Sequence, residues 1–267
     1  MSYARLNLAT LSLLLPATVL ADAAPVLRIC YETQDSLPFY SAVTEQGPTG
    51  PGLLLELIQA AAKQANLSLE FQRQPWKRCI LQLQQGQSDG IFAAIWQPER
   101  DSWGQFPGRD TQSDAPVQRH YRLWQVDYPI ITHRDGTLGW DGAQFSGTRN
   151  GLSAPLGYVA NQQLDALGVL AKPTYSAEIA LKLVAHERLD GYVLERQIAR
   201  HYIRTLGLQT QLVLLPKPLL SADWYLPLSH QFYRQYPEVA QRFWQALAEQ
   251  RETRSAELSA RYLSIPD

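Results

Sequence analysis

Three charged residues follow, or lie close to the end of, stretches that are typical of buried strands. Arg100 comes after a short apolar run, Glu195 comes after Gly-Tyr-Val-Leu, and Glu32 lies at the end of the first apolar stretch beyond residue 25. A guanidinium can bind both oxygens of a carboxylate, and a carboxylate can bind an ammonium group. Each residue also has an ordinary alternative. Arg100 could pair with Glu99 or Asp101 at the surface, Glu195 could stabilise a helix N terminus, and Glu32 could be a solvated loop charge.

The usual motifs of catalysis are missing from the sequence. Gly151-Leu-Ser-Ala-Pro fails the G-x-S-x-G pattern at its last position, and neither Ser-x-x-Lys nor His-Glu-x-x-His occurs. The five histidines are scattered, and no nucleotide-binding loop is present. Glu32 and Glu195 could in principle act as an acid–base pair, but nothing marks them as catalytic. We therefore expect a protein that is not an enzyme and that uses neither a metal nor a cofactor.

Residues 1–23 have the layout of a secretory signal peptide. Arg5 is the only charged residue before the apolar run 6–20, which Pro16 interrupts, and small residues follow it. The run is shorter than the roughly 20 residues that span a bilayer. We expect cleavage before Asp22 or Ala24 and export to the periplasm as a soluble protein.

Charge and cysteine content restrict the partners. The 24 basic and 25 acidic residues nearly cancel, which argues against nucleic acid or an anionic surface as the main partner. Cys30 and Cys79 lack the spacing of a metal site. In an oxidising compartment they could form one disulfide or remain two buried thiols, since the sequence does not supply the distance between them. In either case their role is structural.

Strands alternate with helices in the first half of the chain. Apolar spacing predicts a strand at 26–31, a helix at 53–66, a strand at 67–72, a second helix at 80–86 and a buried parallel strand at 91–95. A Gly/Pro-rich turn at 46–52 separates the first two. This order predicts βαβ units and a mostly parallel sheet flanked by helices.

The same phrase occurs twice, which indicates two similar lobes. Leu81-Gln-Leu leads to Asp89-Gly and an apolar run, and Leu181-Lys-Leu leads to Asp190-Gly and a second apolar run. The stretches 117–126 and 215–225 could carry the chain between the lobes, and the helical stretch 231–262 could return to the first one. We therefore predict a first lobe of 24–122 and 221–267, a second lobe of 123–220, and a crevice at a two-strand hinge.

Several phrases together resemble a known family. They are LRICYETQDSLPFY, the Gly-Pro-Gly before the helix at 53–66, PWKRC, QQGQSDGIFAAIWQPER followed by WGQFP, and ERLDGYVLE. In order and spacing the chain resembles the bacterial periplasmic solute-binding proteins of the polar amino-acid class, family 3. The resemblance implies a type II, two-lobed α/β receptor that closes about its hinge. Such a receptor captures a small solute, acts as a monomer, and delivers the solute to an inner-membrane ABC transporter.

The resemblance also implies roles for individual residues. Arg100 matches the family's arginine for the ligand carboxylate, and Glu195 matches its acid for the ligand amine. Trp76, next to Arg78, matches a residue that lines the pocket. On this basis Arg100→Ala should abolish binding rather than folding.

Two loops complete the implied site. Phe39 and Tyr40 lie where the family places aromatic or apolar walls, although ordinary core packing is an equal alternative for Phe39. Gly157 and Tyr158 match a turn whose backbone N–H groups face the ligand carboxylate, although a plain helix-entry turn explains them nearly as well.

The chain departs from the family pattern at two places. Amino-acid binders have hydroxyl residues before the arginine, whereas this chain has Ala93, Ala94 and Ile95. Glu32 is an additional acid that could favour a cationic ligand. Two alternative functions therefore stay open: an enzyme on the same fold, such as a cyclohexadienyl dehydratase, or a ligand-sensing partner of a signalling receptor.

Overall fold

The computed structural model describes residues 25–41, 51–110, 112–113 and 115–264. The predicted signal peptide at 1–23 and most of the predicted turn at 46–52 lie outside these residues. Within the described residues, no helix has both the length and the apolar character that crossing a membrane requires.

The first sheet is parallel, as the βαβ pattern predicts. Its elements are β1 (Val26–Glu32), α1 (Leu53–Gln64), β2 (Ser68–Gln74), α2 (Trp76–Gln84) and β3 (Gly90–Ile91). The strand order is β2-β1-β3, and both pairings are parallel. The inner face of α1 is buried against this sheet and is made of leucine, isoleucine and alanine side chains.

The second sheet has five strands and contains the hinge. Along the chain follow β4 (Ala94–Ile95), β5 (Trp124–His133), β6 (Gly139–Trp140), β7 (Phe145–Ser146), β8 (Leu152–Ser153), β9 (Gly191–Val193) and β10 (Leu212–Tyr225). The strand order is β4-β10-β5-β9-β8, and β6 pairs only with β7. Only the pairing of β8 with β9 is parallel. The prediction of a mostly parallel sheet is therefore wrong here, because β5 and β10 carry the chain out and back in opposite directions.

The predicted single strand at 91–95 is divided between the two sheets. β3 pairs with β1 in the first sheet, whereas β4 pairs with β10 in the second. Between them Ala93 has a φ of 60°, which lies in the left-handed region that an alanine rarely adopts. Ile91, Phe92 and Ala94 are buried, whereas Ala93 and Ile95 are half-buried. The backbone turn at Ala93 redirects the run, and apolar content alone does not reveal such a turn.

The repeated Asp-Gly phrase has a structural counterpart in both sheets. Asp89 precedes β3, and its Oδ2 accepts a hydrogen bond from the backbone N–H of Arg28 in β1 at 2.9 Å. Asp190 precedes β9, and its Oδ2 accepts from the backbone N–H of Gly151, just before β8, at 2.8 Å. Each aspartate thus connects the start of one strand to its parallel neighbour.

The remaining helices are α3 (Val159–Ala166), α4 (Ala177–Ala185), α5 (Arg196–Thr205), α6 (His230–Gln235) and α7 (Pro237–Tyr262). The last of them packs against α1. Glu56 of α1 accepts from Arg254 at 2.6 Å and from the Tyr262 hydroxyl at 2.9 Å. We call β1–β3 with α1, α2, α6 and α7 the first lobe, together with the 3₁₀ turn Pro98–Ser102, whose Asp101 carbonyl contacts His230 of α6. The second lobe is β6–β9 with α3–α5. The lobe boundaries predicted from the sequence remain a prediction.

A disulfide fixes α2 to the first sheet. Cys30 of β1 and Cys79 of α2 are bonded, with their Cα atoms 5.4 Å apart and both side chains fully buried. The open choice between a bridge and two thiols is thereby decided. The bond places the first turn of α2, which begins at Trp76, next to the end of β1.

Candidate functional site

A cavity of about 390 Å³ lies between the two lobes. The first lobe contributes a short polar segment after β1 and the start of α2, and the second lobe contributes β9, α5 and the loops before α3 and α4. The lining residues used below are Glu32, Gln34, Asp35, Trp76, Lys77, Tyr158, Tyr175, Tyr192, Leu194, Ile198 and Tyr202. The walls are therefore mainly aromatic and apolar, with a few polar groups, as is common for small-molecule sites.

The lobes contact each other at the edges of this cavity. Gln34 of the first lobe donates through Nε2 to the Tyr202 hydroxyl of α5 at 2.7 Å. The Trp76 ring packs against the Tyr158 ring, with 6.4 Å between centroids and an interplanar angle of 63°. Both contacts join residues from opposite lobes, so the lobes touch at the edges of the cavity.

Glu32 places a carboxylate on the cavity wall and is held there by neutral donors. Its Oε1 accepts from the Thr33 backbone N–H at 2.8 Å and from the Thr33 hydroxyl at 3.0 Å. Its Oε2 accepts from the Trp76 backbone N–H, at the start of α2, at 3.0 Å. Among the ion pairs of the described residues none includes Glu32. Its negative charge is thus fixed in position without a neutralising side chain.

Tyr192 belongs to the wall of the same cavity and has a buried hydroxyl. The residue is fully buried in β9, lines the cavity, and its hydroxyl oxygen has no hydrogen-bond partner among the described residues. Burial raises its pKa, and burial together with neighbouring charges raises that of Tyr158 well above the ordinary tyrosine value. Both phenols are therefore neutral at physiological pH and can donate a hydrogen bond.

Arg100 is buried but does not line this cavity. It lies in the 3₁₀ turn Pro98–Ser102 and is 3% exposed. Its Nη1 donates to the Ile95 carbonyl at 2.9 Å and its Nη2 to the Gly157 carbonyl at 3.4 Å, while its Nε has no partner. The guanidinium carbon lies 4.4 Å from the centroid of the Trp103 ring. Burial lowers the pKa of Arg100 to about 10, so the group stays charged at neutral pH.

Glu195 lies on the hinge side rather than in the main cavity. It caps α5, and its Oε2 accepts from the backbone N–H groups of Gln197 at 2.7 Å and Ile198 at 3.0 Å. With Phe39 and Asp127 it lines a separate cavity of about 270 Å³. Burial raises the pKa of Glu195 to about 8, although the two N–H donors oppose that shift. The helix-capping alternative is thus present in the structure, and at neutral pH the protonated form predominates.

The other predicted aromatic residues pack in the interior. Phe39 is 1% exposed, and its ring meets the Trp224 ring edge to face at 5.0 Å. Tyr40 packs against Tyr31 and Phe92. Burial raises the pKa of Tyr40. Neither residue lines the main cavity, which agrees with the core-packing alternative for Phe39.

Three further predicted residues lie outside both cavities. Arg78 is exposed on α2, since residues two positions apart on a helix face different directions and Trp76 faces inward. Ala93 forms the turn between β3 and β4. Gly157 has a φ of 84° and presents its carbonyl, rather than its N–H, to Arg100.

Apart from Tyr158, the sequence interpretation missed the second-lobe side of the cavity. Ile198 and Tyr202 lie four residues apart on α5 and therefore share a face. Tyr192 and Leu194 lie two residues apart and therefore point to the same side of an extended chain. Both spacings are visible in the sequence, but the sequence does not show that these two faces point toward the first lobe. Among the described residues no group of three or more histidine, cysteine or acidic side chains could hold a metal ion.

Sequence comparison identifies the family of this two-lobed fold. The model of the bacterial extracellular solute-binding proteins, family 3, matches residues 27–264. The chain belongs to this family. The resemblance inferred from the sequence is thereby confirmed, and the family supports a solute-binding role. Comparison of the solute-binding protein with curated proteins finds no match.

Solved structures share the fold at low sequence identity. A histidine kinase sensor domain with similarity to periplasmic binding proteins superposes with a TM-score of 0.69 and 20% identity, covering 90% of this chain and 97% of that one. A mutant of ArgBP from T. maritima superposes with a TM-score of 0.68 and 15% identity, covering 90% of this chain and 96% of that one. An ancestral amino-acid-binding protein, a precursor of cyclohexadienyl dehydratase, superposes with a TM-score of 0.62 and 16% identity. The match covers 89% of this chain and 94% of that one. These similarities confirm the two-lobed α/β fold of the solute-binding protein.

Proposed function

We propose that the protein is a periplasmic receptor that captures a small polar solute by closing its lobes and delivers it to an inner-membrane ABC transporter. The solute is an amino acid or a related amine or carboxylate. The receptor acts as a monomer and does not transform what it binds. A cleaved signal peptide at residues 1–23 would bring it to the periplasm.

The observation that carries this proposal is the cavity between the lobes. Its walls come from both lobes, so a molecule inside it would be enclosed when the lobes close and released when they separate. The volume of about 390 Å³ suits a small metabolite. The two long antiparallel strands β5 and β10 supply the connection about which the lobes would move.

Closure would be stabilised by polar contacts across the crevice. The hydrogen bond from Gln34 to Tyr202 and that from Arg100 to Gly157 both join the lobes. Both would break on opening, and a bound solute shifts the equilibrium by binding the closed form more tightly. In this account Arg100 acts on closure, because its Nη groups are engaged by main-chain oxygens.

The ligand-binding roles implied for Arg100 and Glu195 remain predictions. To meet a ligand carboxylate, Arg100 would have to exchange the Gly157 carbonyl for it. To meet an ammonium as a carboxylate, Glu195 would have to lose the proton that burial favours. A bound cation at short distance would lower that pKa and make the exchange possible.

A binding screen tests the proposal. Thermal-shift measurements over amino acids, amines and small carboxylates, followed by calorimetry on any hit, should give saturable binding with one solute per chain. The solute should be recovered unchanged after incubation. Absence of binding across the whole screen would contradict the receptor function.

Two specific results would favour the other functions. Conversion of a bound solute into a product would indicate an enzyme, for which the structural similarity to the dehydratase precursor is the supporting observation. Binding without any stimulation of transport, together with association with a sensor kinase, would indicate a signalling partner. For the signalling partner, the supporting observation is the structural similarity to the histidine kinase sensor domain.

A further inference from the structure

We infer that the cavity between the lobes selects an organic ammonium ion that has an apolar body and no carboxylate. This inference rests on the proposed receptor function and narrows its ligand class. Three features of the cavity support it: the fixed charge of Glu32, the aromatic character of the walls, and the buried hydroxyl of Tyr192.

Glu32 supplies the charge that a cation would meet. Within the described residues its oxygens accept only from N–H and O–H groups of Thr33, Gln34 and Trp76, all of them neutral. Because these bonds orient the carboxylate without neutralising it, an approaching ammonium gains a charge-assisted hydrogen bond at little cost in reorganisation. The charge also acts inside the site, since Glu32 contributes, after burial, Tyr40 and Tyr128, to raising the pKa of Tyr158.

The walls suit a cation with an apolar body. Trp76, Tyr158, Tyr175, Tyr192 and Tyr202 all line the cavity. The negative faces of such rings attract ammonium groups, and their surfaces pack against apolar carbon. A purely polar solute would leave most of this surface unused.

The charged groups on the wall disfavour an anion. Asp35 is acidic and bonded to Arg73 at 2.5 Å, and Glu32 has no ion-pair partner among the described residues. Lys77 is the one cation among the lining residues, but its side chain is exposed and strongly solvated. Arg100, which could have bound a carboxylate, does not reach the cavity and is bonded to carbonyl oxygens.

Tyr192 indicates that the ligand also carries a hydrogen-bonding group. A fully buried hydroxyl without a partner is unfavourable unless something supplies one. A ligand hydroxyl or other polar atom would do so if the cavity wall adjusts on binding to expose the Tyr192 hydroxyl. Glu32 from the first lobe and Tyr192 from the second would then contact the same molecule, which couples recognition to closure.

The test compares three hydroxyphenyl compounds that differ in their charged groups, with choline as a second cation. Calorimetry on the purified protein would use tyramine, L-tyrosine, 3-(4-hydroxyphenyl)propionate and choline. Tyramine should bind at least about tenfold more tightly than L-tyrosine, because the added carboxylate meets Glu32. Choline, whose nitrogen has no hydrogen to donate to Glu32, should bind more weakly than tyramine. The propionate should not bind. Equal or tighter binding of L-tyrosine or the propionate would overturn the inference while leaving the receptor function standing.

Variants assign the effect to the two residues. Glu32→Gln should weaken tyramine binding about tenfold or more, whereas Glu70→Gln, the same change at an exposed position on β2, should leave it unchanged. Lys77→Ala should not weaken it. Equal affinity of Glu32→Gln and wild type would contradict the inference.

Tyr192→Phe is the variant least able to disturb folding, since the hydroxyl it removes has no partner in the part of the chain that the structure describes. It should weaken tyramine binding roughly three- to tenfold without lowering the melting temperature, whereas Tyr233→Phe on α6 should not change binding. If Glu32→Gln fails to fold, the comparison of Tyr192→Phe with Tyr233→Phe and the ligand series still test the inference. If no compound binds, here or in the wider screen, the receptor function fails as well.

Discussion

Arg100 donates through Nη2 to the carbonyl oxygen of Gly157 at 3.4 Å, and so connects the 3₁₀ turn after β4 to the loop before α3. The guanidinium is buried, yet no carboxylate side chain pairs with it among the described residues. Its position therefore links it to contact between the lobes more directly than to the cavity.

Replacing Arg100 should weaken binding of every ligand to a similar degree. Arg100→Ala removes one bond across the crevice, so we expect affinities for all binding solutes to fall by about three- to tenfold, equivalent to about 1 kcal/mol. Arg100→Lys keeps the charge but cannot donate to two carbonyl groups in the same geometry, so its ligand affinities should also fall. Calorimetry on both variants, with a cationic solute and with a carboxylate-bearing one, measures these changes in affinity. Loss confined to carboxylate ligands would instead support the role that the family resemblance implies.

Stability should depend on pH through Glu195. Its pKa is about 8 in the folded protein against 4.5 for the ordinary group. Between these values the folded state holds a proton that the unfolded state has released, so the contribution present below pH 4.5 is lost as pH rises to about 8. The free energy of unfolding should therefore fall, by at most a few kcal/mol. Above that range no further loss comes from this group.

Glu195→Gln provides the matched comparison for that pH effect. The amide oxygen of glutamine can still accept from the backbone of Gln197 and Ile198, so the cap of α5 is retained. Denaturant unfolding of both proteins across the pH range should show the wild type losing stability relative to the variant. Parallel curves would mean that Glu195 titrates normally.

The disulfide should contribute substantially to the stability of the first lobe. It joins β1 to α2 across a sequence separation of 49 residues. Closing a loop of that length typically stabilises a protein by about 2–4 kcal/mol. Denaturant unfolding with and without reductant should show this loss in the wild type, and a Cys30→Ser, Cys79→Ser double variant should be unaffected by reductant. A wild type that is equally stable in both conditions would contradict this assignment.

Trp76 should report ligand binding by fluorescence. It is one of seven tryptophans, and it is the one that lines the cavity. A bound ligand should therefore change its emission, and Trp76→Phe should remove most of the change. Trp140→Phe, on β6 and away from the cavity, is the control. A ligand-induced change that persists in Trp76→Phe would place the ligand elsewhere.

The sequence predicted local structure better than it predicted which groups meet. The βαβ order of the first lobe followed from apolar periodicity, and the terminal helix did return to α1. The run at 91–95 was misjudged because the left-handed turn at Ala93 leaves no mark on apolar content. The second sheet was misjudged because strand direction depends on the path of the whole chain.

Only part of the candidate site was predictable, because local sequence patterns do not show which side chains meet. Glu32, Trp76 and Tyr158 were identified from the sequence and do line one cavity. Arg100 and Glu195 were identified with equal ease, but backbone carbonyl and N–H groups engage them. Only the three-dimensional arrangement reveals this. Tyr192 was missed, since a tyrosine within an apolar strand has the same pattern as a core residue.

The central claim is that a solute binds in the cavity between the lobes, against Glu32, Trp76 and Tyr192. A crystal structure of the protein with its bound solute tests it most directly. We predict a ligand whose ammonium group lies within hydrogen-bonding distance of the Glu32 carboxylate and whose polar group contacts the Tyr192 hydroxyl. A ligand held between Arg100 and Glu195, or one bound outside the crevice, would contradict the account.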